Sequence, residues 1–567
     1  MKKLTFGSPE ELVPSKFCKG FNFKESDVKY DISAIQFYNT KRGCCLRLPI
    51  KSDEQIYGLG LQLKAFNLRG RKFTVRPNAD PKAPNGDSHA PAPFFVSTAG
   101  YGIYVDTARY AEFHFGATLL ENNKNATYSD ATIGVNTDQL YSAKNFEGGT
   151  ISIQIPVAEG VDIYIIEGEN ITDVVAQYNM LSGGGCDVPN WALECLYRCY
   201  TGYSQDKVVE LAEHFKNDDF KVGTIGLEPG WQTRTYSCSY VWSDERYPNP
   251  EDMIKSLKAL GFHVNLWEHA FVHPSSPVYE KIKDYSGDYL VWQGCVPDFA
   301  LDKTQEIFAD YQKGLVDMGV DGFKLDECDG SDLTGGWSFP NMSQFPSGLD
   351  GEQYHSLFGT LYMQTMLRAL CGTPILSEVR NAGALAASYP FVLYSDLYDH
   401  ADFVRGCCTA GFSGLLWTPE VRDAKTKEEF IRRLQTTVFS PQCLINAWYC
   451  PDIPWKDLDC AAEVKELLEV RNQLVPKLKQ AFENYKKTGV PPMRALVSDY
   501  TSDPETHNID NEYLLCDNLL VAPILVGQHE REVYLPHGNW RDYFTKEPVR
   551  SGKFTVSTNS IPVYEKY

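Results

Sequence analysis

The sequence has no long apolar stretch. No window holds the roughly 18 uninterrupted apolar residues that a membrane-spanning helix needs. The N-terminus carries two lysines, Lys2 and Lys3, but no apolar segment of the kind that forms a signal peptide. We therefore expect a cytoplasmic protein with no membrane partner.

Positive charge is scarce. Lys and Arg total 54 against 74 Asp and Glu, which gives a net charge of -20. Such a charge repels nucleic-acid phosphates, so we expect no nucleic-acid partner and a neutral or cationic small-molecule substrate. Aromatic residues are plentiful at 13%. Sugar rings stack on aromatic faces, although large β-rich cores account for most such residues.

The spacing of the cysteines does not match a metal site. Among 16 cysteines, no Cys-x-x-Cys lies near paired histidines, and Cys44–Cys45 and Cys407–Cys408 are adjacent. Without an export signal the thiols should be reduced. The sequence predicts no metal site and no disulfide framework.

Three regions differ in their secondary-structure pattern. Residues 1–185 and 486–567 show short alternating strands, which predict an N-terminal β-sandwich and a small C-terminal β-sandwich. Residues 186–485 alternate strand and helix, for example a helix at 206–217 and a strand at 222–227, which indicates a parallel sheet. The predicted fold is a multidomain α/β protein with a (β/α)₈ TIM barrel between two sandwiches. A doubly wound sheet is the alternative, disfavoured because no Gly-rich phosphate loop follows any strand.

The segment 320–329 gives the clearest functional signal. An apolar strand ends at Asp326, and the C-terminal ends of barrel strands face the active site. Lys324 should project to the same side as Asp326 and keep that carboxylate ionised. The alternative is that Asp326 caps a helix. Charged residues at the ends of further candidate strands favour a barrel: Glu228, Glu268, Glu378 with Arg380, and Glu420.

Several segments, in this order along the chain, resemble glycoside hydrolase family 31, the retaining α-glycosidases. The likeness rests on residues 55–60 in the N-terminal domain, 242–250 and 322–326 in the central domain, and 519–524 near the end. In this family the aspartate that ends the fourth barrel strand is the nucleophile, and a second aspartate is the acid/base.

The resemblance assigns these two roles to Asp326 and Asp396. Asp399 and Asp402 lie in the same loop as Asp396 and are alternatives for the acid/base. Retention requires the two carboxyl groups to lie about 5 to 5.5 Å apart. Lys324 and Arg380 are expected to keep the nucleophile anionic, whereas burial or the neighbouring negative charge is expected to raise the pKa of the acid/base.

The expected sugar pocket combines strand-end residues with those implied by the resemblance. Each of its tryptophans and glutamates could instead be a core tryptophan or a helix cap. The family's Arg-x-His segment is replaced by residues 445–448, with Asn446 among them, which indicates a sugar other than an ordinary α-glucoside. The pocket residues are Glu228, Trp231, Trp267, Glu268, Lys324, Arg380, Trp417 and Glu420.

The resemblance therefore implies an exo-acting retaining α-glycosidase that acts on an oligosaccharide or glycoside without a cofactor. An α-galactosidase and an α-transglycosylase are the enzymatic alternatives. A carbohydrate-binding protein without turnover is the non-enzymatic one, because fold alone does not establish activity. The sequence leaves open the sugar, the linkage and whether the chain forms a homo-oligomer.

Overall fold

The computed structural model describes residues 1–79, 81–116, 149–330, 337–396 and 399–567. Within these residues the N-terminal domain contains two five-stranded antiparallel sheets. Their facing sides bury an apolar core that includes Leu46, Phe73, Phe95 and Ile153. In order across each sheet the strands are Lys2–Ser8, Glu159–Glu167, Tyr101–Asp106, Phe94–Ser97 and Ile56–Gly58, and then Gln36–Thr40, Gly43–Pro49, Thr150–Pro156, Glu112–Phe115 and Lys72–Thr74.

The central domain is built on a parallel sheet of seven strands in the described part of the chain. These strands are short and largely buried, as expected for strands covered on both faces. We number them in chain order: Cys195–Arg198 (β1), Val222–Leu227 (β2), His263–His269 (β3), Gly322–Asp326 (β4), Ser377–Val379 (β5), Phe391–Leu393 (β6) and Cys443–Asn446 (β7). The strand predicted at 222–227 is confirmed.

Two isolated bridges close this sheet into a barrel. Trp417 pairs in parallel with Leu393 of β6, and Val421 pairs in parallel with Ile445 of β7. Because β7 also pairs with β1, the segment 417–421 stands where an eighth strand would lie. The predicted (β/α)₈ barrel is therefore confirmed, and the alternative of an open doubly wound sheet is wrong.

Helices cover the outside of the barrel, and polar residues define where several of them begin. Ser204 and Thr426 accept backbone N–H bonds at helix starts, and Asp350 forms a capping box with Gln353. The helix predicted at 206–217 is confirmed. The helices are Gln205–Asn217 (α1), Pro250–Leu260 (α2), Asp302–Asp317 (α3), Gly351–Ala369 (α4), His400–Thr409 (α5), Lys427–Val438 (α6) and Ala461–Thr488 (α7).

Shorter elements connect these parts. A hairpin of Ser286–Val291 and Gly294–Pro297 stands between β3 and α3. A parallel pair, Arg76–Pro77 with Asp87–Ser88, lies in the N-terminal domain. The remaining α-helices in the described ranges are Pro14–Phe17, Ile171–Met180, Tyr279–Ile282, Pro454–Asp457 and Leu496–Asp499.

The C-terminal domain is a small antiparallel β-structure packed around Leu514, Val533 and Trp540. The predicted boundary at residue 485 falls inside α7 and remains a prediction. The strands form one sheet of Met493–Ala495, Tyr513–Leu515, Leu519–Val521, Val563–Lys566, Trp540–Asp542 and Pro548–Val549, and a pair of Glu530–Leu535 with Gly552–Ser557.

Two general properties bear on the function. All sixteen cysteines lie in described ranges and are free thiols. No helix among the described residues is both long enough and apolar enough to span a bilayer.

Candidate active site

Asp326 is the last residue of β4 and lies in the mouth of the barrel, 8% exposed. The Trp267 indole Nε1 donates to its Oδ2 at 2.7 Å, and the Glu327 backbone N–H donates to Oδ1 at 2.8 Å. The Arg380 guanidinium lies 3.7 Å from Oδ1. Burial alone would raise the pKa of Asp326, but Arg380 and then Lys324 hold it below its usual value. The expected anionic state of Asp326 is thus supported.

Asp396 follows β6 and has a side chain that is 46% exposed. It accepts a hydrogen bond from Arg380 Nη1 at 2.5 Å, and Arg422 Nη1 lies 3.6 Å from its Oδ1. Burial favours the neutral form, but Arg380, Lys324 and Arg422 together lower the pKa of Asp396. This differs from the expected raised pKa, because the cations outweigh both burial and the charge of Asp326.

Arg380 brings the two carboxylates together. Its Nη1 atom lies 2.5 Å from an Asp396 oxygen and 3.7 Å from an Asp326 oxygen. The nearest carboxylate oxygens are therefore at most about 6 Å apart, which is compatible with the separation of about 5 to 5.5 Å in retaining glycosidases.

The two alternatives to Asp396 have structural partners. Asp399 caps α5 by accepting the Asp402 backbone N–H. Asp402 is 5% exposed and forms ion pairs with Lys64 and Arg405. Both aspartates are engaged in holding α5 in place, which leaves Asp396 as the loop carboxylate that shares Arg380 with Asp326.

Lys324 and Glu228 lie below the two aspartates inside the barrel. The Lys324 ammonium is 3.3 Å from Glu228 Oε1, and Arg198 of β1 also pairs with Glu228. Arg198 contacts Glu378 of β5 at 3.1 Å as well. Burial raises the pKa of Glu378 to about 6 although Arg198 opposes the shift. These paired charges fill the barrel and close the base of the pocket.

The two predicted pocket tryptophans near β3 differ in position. Trp267 points to Asp326 through its indole nitrogen. Trp231 is fully buried, donates to the Trp267 carbonyl oxygen at 2.6 Å and packs against Trp242. Trp231 therefore supports Trp267 from behind instead of lining the pocket.

Glu268 and Trp417 face away from the pocket, contrary to expectation. Glu268 accepts hydrogen bonds from Tyr362 of α4 at 2.6 Å and from Gln312 of α3 at 3.3 Å. Trp417 donates to the Phe403 carbonyl oxygen of α5 at 3.1 Å. Both side chains lie between the barrel and its helices, and the prediction that they contact sugar is wrong.

Glu420 is completely buried beside the pocket. The Asn446 amide donates to its Oε2 at 3.0 Å, and Arg422 Nε lies 3.6 Å from its Oε1. Burial and the charge of Asp396 raise the pKa of Glu420 to about 7. Among the described residues, Glu420 Oε1 and Asn446 Oδ1 accept no hydrogen bond. Asn446, in the segment that replaces the family motif, is thus held against Glu420.

His89 reaches the site from the N-terminal domain. Its Nδ1 lies 2.8 Å from Asp329 Oδ2, and its Nε2 lies 2.7 Å from the Ser395 hydroxyl. Asp329 in turn accepts from Arg380 Nε at 3.0 Å. His89 itself is completely buried. The His89 imidazole therefore connects Asp329, which holds Arg380, to Ser395, which directly precedes Asp396.

Sequence reasoning missed several of these residues. Arg198 ends the apolar strand β1, which is the same signal that identified Asp326, and it could have been found. Asp329 lies within the segment 320–329, but the sequence pattern assigned no role to it. His89 and Arg422 are in loops without a distinguishing pattern, so only the folded chain reveals them.

The parallel barrel, with two carboxylates at its mouth and a β-sandwich on either side, is the architecture of a carbohydrate-active enzyme family. The central domain matches the glycosyl hydrolases family 31 TIM-barrel domain over residues 186–481. The family's C-terminal domain matches residues 489–567, and its N-terminal galactose mutarotase-like domain matches residues 26–114. The chain belongs to glycosyl hydrolase family 31, as the resemblance implied.

Similar proteins carry several different names. An α-xylosidase of Emericella nidulans is 23% identical, with 90% of this chain and 64% of that protein covered. The chain thus spans less than two thirds of that relative. The Flavobacterium johnsoniae dextranase structure in complex with glucose has a TM-score of 0.80 at 22% identity, covering 94% of this chain and 67% of its own. The structure of a sulfoquinovosidase from E. rectale has a TM-score of 0.77 at 20% identity. The match covers 100% of this chain and 94% of that structure's chain. These structures share the fold.

Proposed function

We propose that this protein is an exo-acting retaining α-glycosidase. The observation that carries the proposal is that Asp326 and Asp396 share one guanidinium nitrogen of Arg380, at 3.7 and 2.5 Å. Their spacing suits a retaining pair, and family membership supports the reaction class. The closed base formed by Lys324 and Glu228 suits a terminal sugar.

In the first step, an Asp326 oxygen attacks the anomeric carbon while the bond to the leaving oxygen breaks. Asp396 gives its proton to that oxygen. In the second step, Asp396 takes a proton from water, the water oxygen attacks the anomeric carbon, and Asp326 is released as a carboxylate. The sugar leaves with its original anomeric configuration.

The lowered pKa of Asp396 affects the two steps in opposite ways. Arg380 and Arg422 favour the ionised form that the second step requires. The first step needs the protonated form, which is scarce at neutral pH in the free enzyme. The pKa of Asp326 is also lowered, so it stays ionised in mildly acidic solution. We therefore expect kcat/KM to be greatest at acidic pH.

The preferred sugar is proposed to differ from an ordinary α-glucoside. Named relatives are α-xylosidases, α-glucosidases and sulfoquinovosidases, so the family alone does not define it. Asn446 lies in the segment that replaces the family's Arg-x-His motif, and its amide donates to the Glu420 carboxylate. A site built to hydrogen-bond one hydroxyl rejects sugars that lack it, so losing the motif's histidine should change the preferred sugar.

A screen of α-gluco, α-galacto, α-xylo and 2-acetamido aryl glycosides tests the proposal. With the best substrate, Asp326→Asn and Asp396→Asn should each lower kcat by about 10³-fold or more, whereas Asp399→Asn should remain active. A mechanism-based label should esterify Asp326, as detected by peptide mass spectrometry. Attachment elsewhere, or release of the inverted anomer in NMR, would refute the proposal. Product analysis at high acceptor concentration distinguishes hydrolysis from transglycosylation.

A further inference from the structure

A row of aromatic side chains leads from Asp326 towards solvent. Trp267, which donates to Asp326, has its ring centroid 5.6 Å from that of Tyr236. Tyr236 lies 5.0 Å from Trp292, and Trp292 lies 6.1 Å from Trp337. Trp267 is 1% exposed, whereas Tyr236 is 50% and Trp337 is 45% exposed, and Trp292 between them is partly buried. We call Tyr236, Trp292 and Trp337 the aromatic strip.

The backbone of Trp292 has a left-handed conformation that is unusual for a bulky residue, which points to a functional role for its ring. Trp292 and Gln293 form the tip of the hairpin between β3 and α3, with φ values of 47° and 67°. Asn and Gly are the usual residues at such positions, because bulky side chains disfavour this conformation. Contacts with His269 and Phe271 hold the indole in place. Backbone strain of this kind is concentrated at functional sites.

Glu327 adds a polar group beside the strip. It directly follows Asp326, has a φ of 55° and is half-buried. Its carboxyl group has no hydrogen-bond or ion-pair partner among the described residues. Burial and then Asp326 raise the pKa of Glu327 well above its usual value. The chain position of Glu327 places it next to Asp326, from which Trp267 and then Tyr236 lead outwards.

We propose that the aromatic strip is the leaving-group subsite, where the ring of an aglycone sugar stacks on Tyr236 and Trp337 while Glu327 hydrogen-bonds one of its hydroxyls. This inference rests on the proposed function. The terminal sugar must enter the closed base of the barrel beside Asp326 and Lys324. The rest of the substrate then extends outwards, and the strip offers it an exposed aromatic surface that is connected to Asp326 through Trp267.

The test compares two substrates with the same terminal sugar, a disaccharide and the α-glycosyl fluoride, which has no second ring. In Tyr236→Ala and Trp337→Ala, the ratio of kcat/KM for the disaccharide to that for the fluoride should fall about tenfold. Tyr289→Ala is the matched control, because Tyr289 is 44% exposed on the same hairpin but outside the strip. It should keep the wild-type ratio.

Glu327 is tested in the same way. Glu327→Leu should lower the ratio, whereas Glu327→Gln, which can still donate and accept hydrogen bonds, should retain more of it. An unchanged ratio in both strip variants would overturn the inference, because a ring contact must favour the substrate that has the ring. A wild-type protein that turns over no α-glycosyl substrate would instead refute the proposed function, and this inference with it.

Discussion

Arg380 makes contact with three carboxylates, those of Asp326, Asp329 and Asp396. Its planar guanidinium presents donors in fixed directions, so each carboxylate has a defined place around it. Lysine offers a single compact charge and could not orient all three groups. The geometry of the proposed reaction therefore depends on this one side chain.

Arg422 offers a way to change the pKa of Asp396 without removing Arg380. Arg422→Met removes a nearby cation and should raise that pKa, so more Asp396 remains protonated as the pH increases. The alkaline limb of kcat/KM should move to higher pH, and the shift of its midpoint in the full pH profile measures the effect.

Arg422→Lys is the control, since it keeps the positive charge and should preserve the pH profile. A profile for Arg422→Met identical to that of the wild-type enzyme would show that the alkaline limb reports a different group.

At the level of elements, strand β3 presents alternate residues to the pocket and to the helices. Trp267 pairs with Lys324 and His269 with Asp326, whereas Glu268 pairs with Leu325. Glu268 therefore points into the layer between the barrel and its helices. Burial raises the pKa of Glu268 to about 8, so the glutamate is largely neutral there at pH 7.

Glu268→Gln should stabilise the protein at high pH. The pKa of Glu268 is raised on folding from 4.5 to about 8, so wild-type stability is lost as pH rises through this interval. Glutamine avoids that loss and can still accept the hydrogen bond from Tyr362. At pH 8 the variant should be more stable by about 2 to 4 kcal/mol, and at pH 4.5 the two proteins should be nearly equal.

Thermal unfolding of both proteins at these two pH values measures the difference. A stability gap that stays constant between pH 4.5 and 8 would contradict a neutral buried Glu268.

How much the sequence could predict differs between elements. The run that ends at Asp326 identified β4 and its carboxylate, because a buried strand leaves a continuous apolar pattern. The same reasoning misplaced Glu268 and Trp417, since lying near a strand end does not decide which face a residue occupies. The pKa of Asp396 was also misjudged, because Arg380 and Lys324, which were expected to act on the nucleophile, lower the pKa of Asp396 as well, and Arg422 adds to them from a loop that only the closed barrel brings near.

For the whole molecule, the N-terminal sandwich completes the site that the barrel provides. His89 bonds Asp329 and Ser395, and the Asn381 amide donates to its carbonyl oxygen at 2.5 Å. The loop that carries His89 is fixed to the barrel at a second point, where the Ala79 N–H donates to the Gly330 carbonyl at 2.8 Å.

His89→Ala should lower kcat by about 10-fold to 100-fold with a smaller effect on KM, because Arg380 and the segment before Asp396 lose a shared support. Steady-state kinetics together with the melting temperature separate this effect from unfolding. His89→Asn should recover part of the rate. His114→Ala, a histidine of the same domain on strand Glu112–Phe115, is the control. An unchanged kcat in His89→Ala would contradict a positioning role.

The pairing of β1 with β7 has a consequence for biosynthesis. Cys195 and Cys443 are register partners, so β1 leaves the ribosome long before its neighbour is made. Until then the growing chain has an unpaired apolar edge, and such edges are prone to aggregation. A nascent chain stalled before residue 443 would need chaperone protection, and no proteolytic fragment lacking β7 could retain a closed barrel.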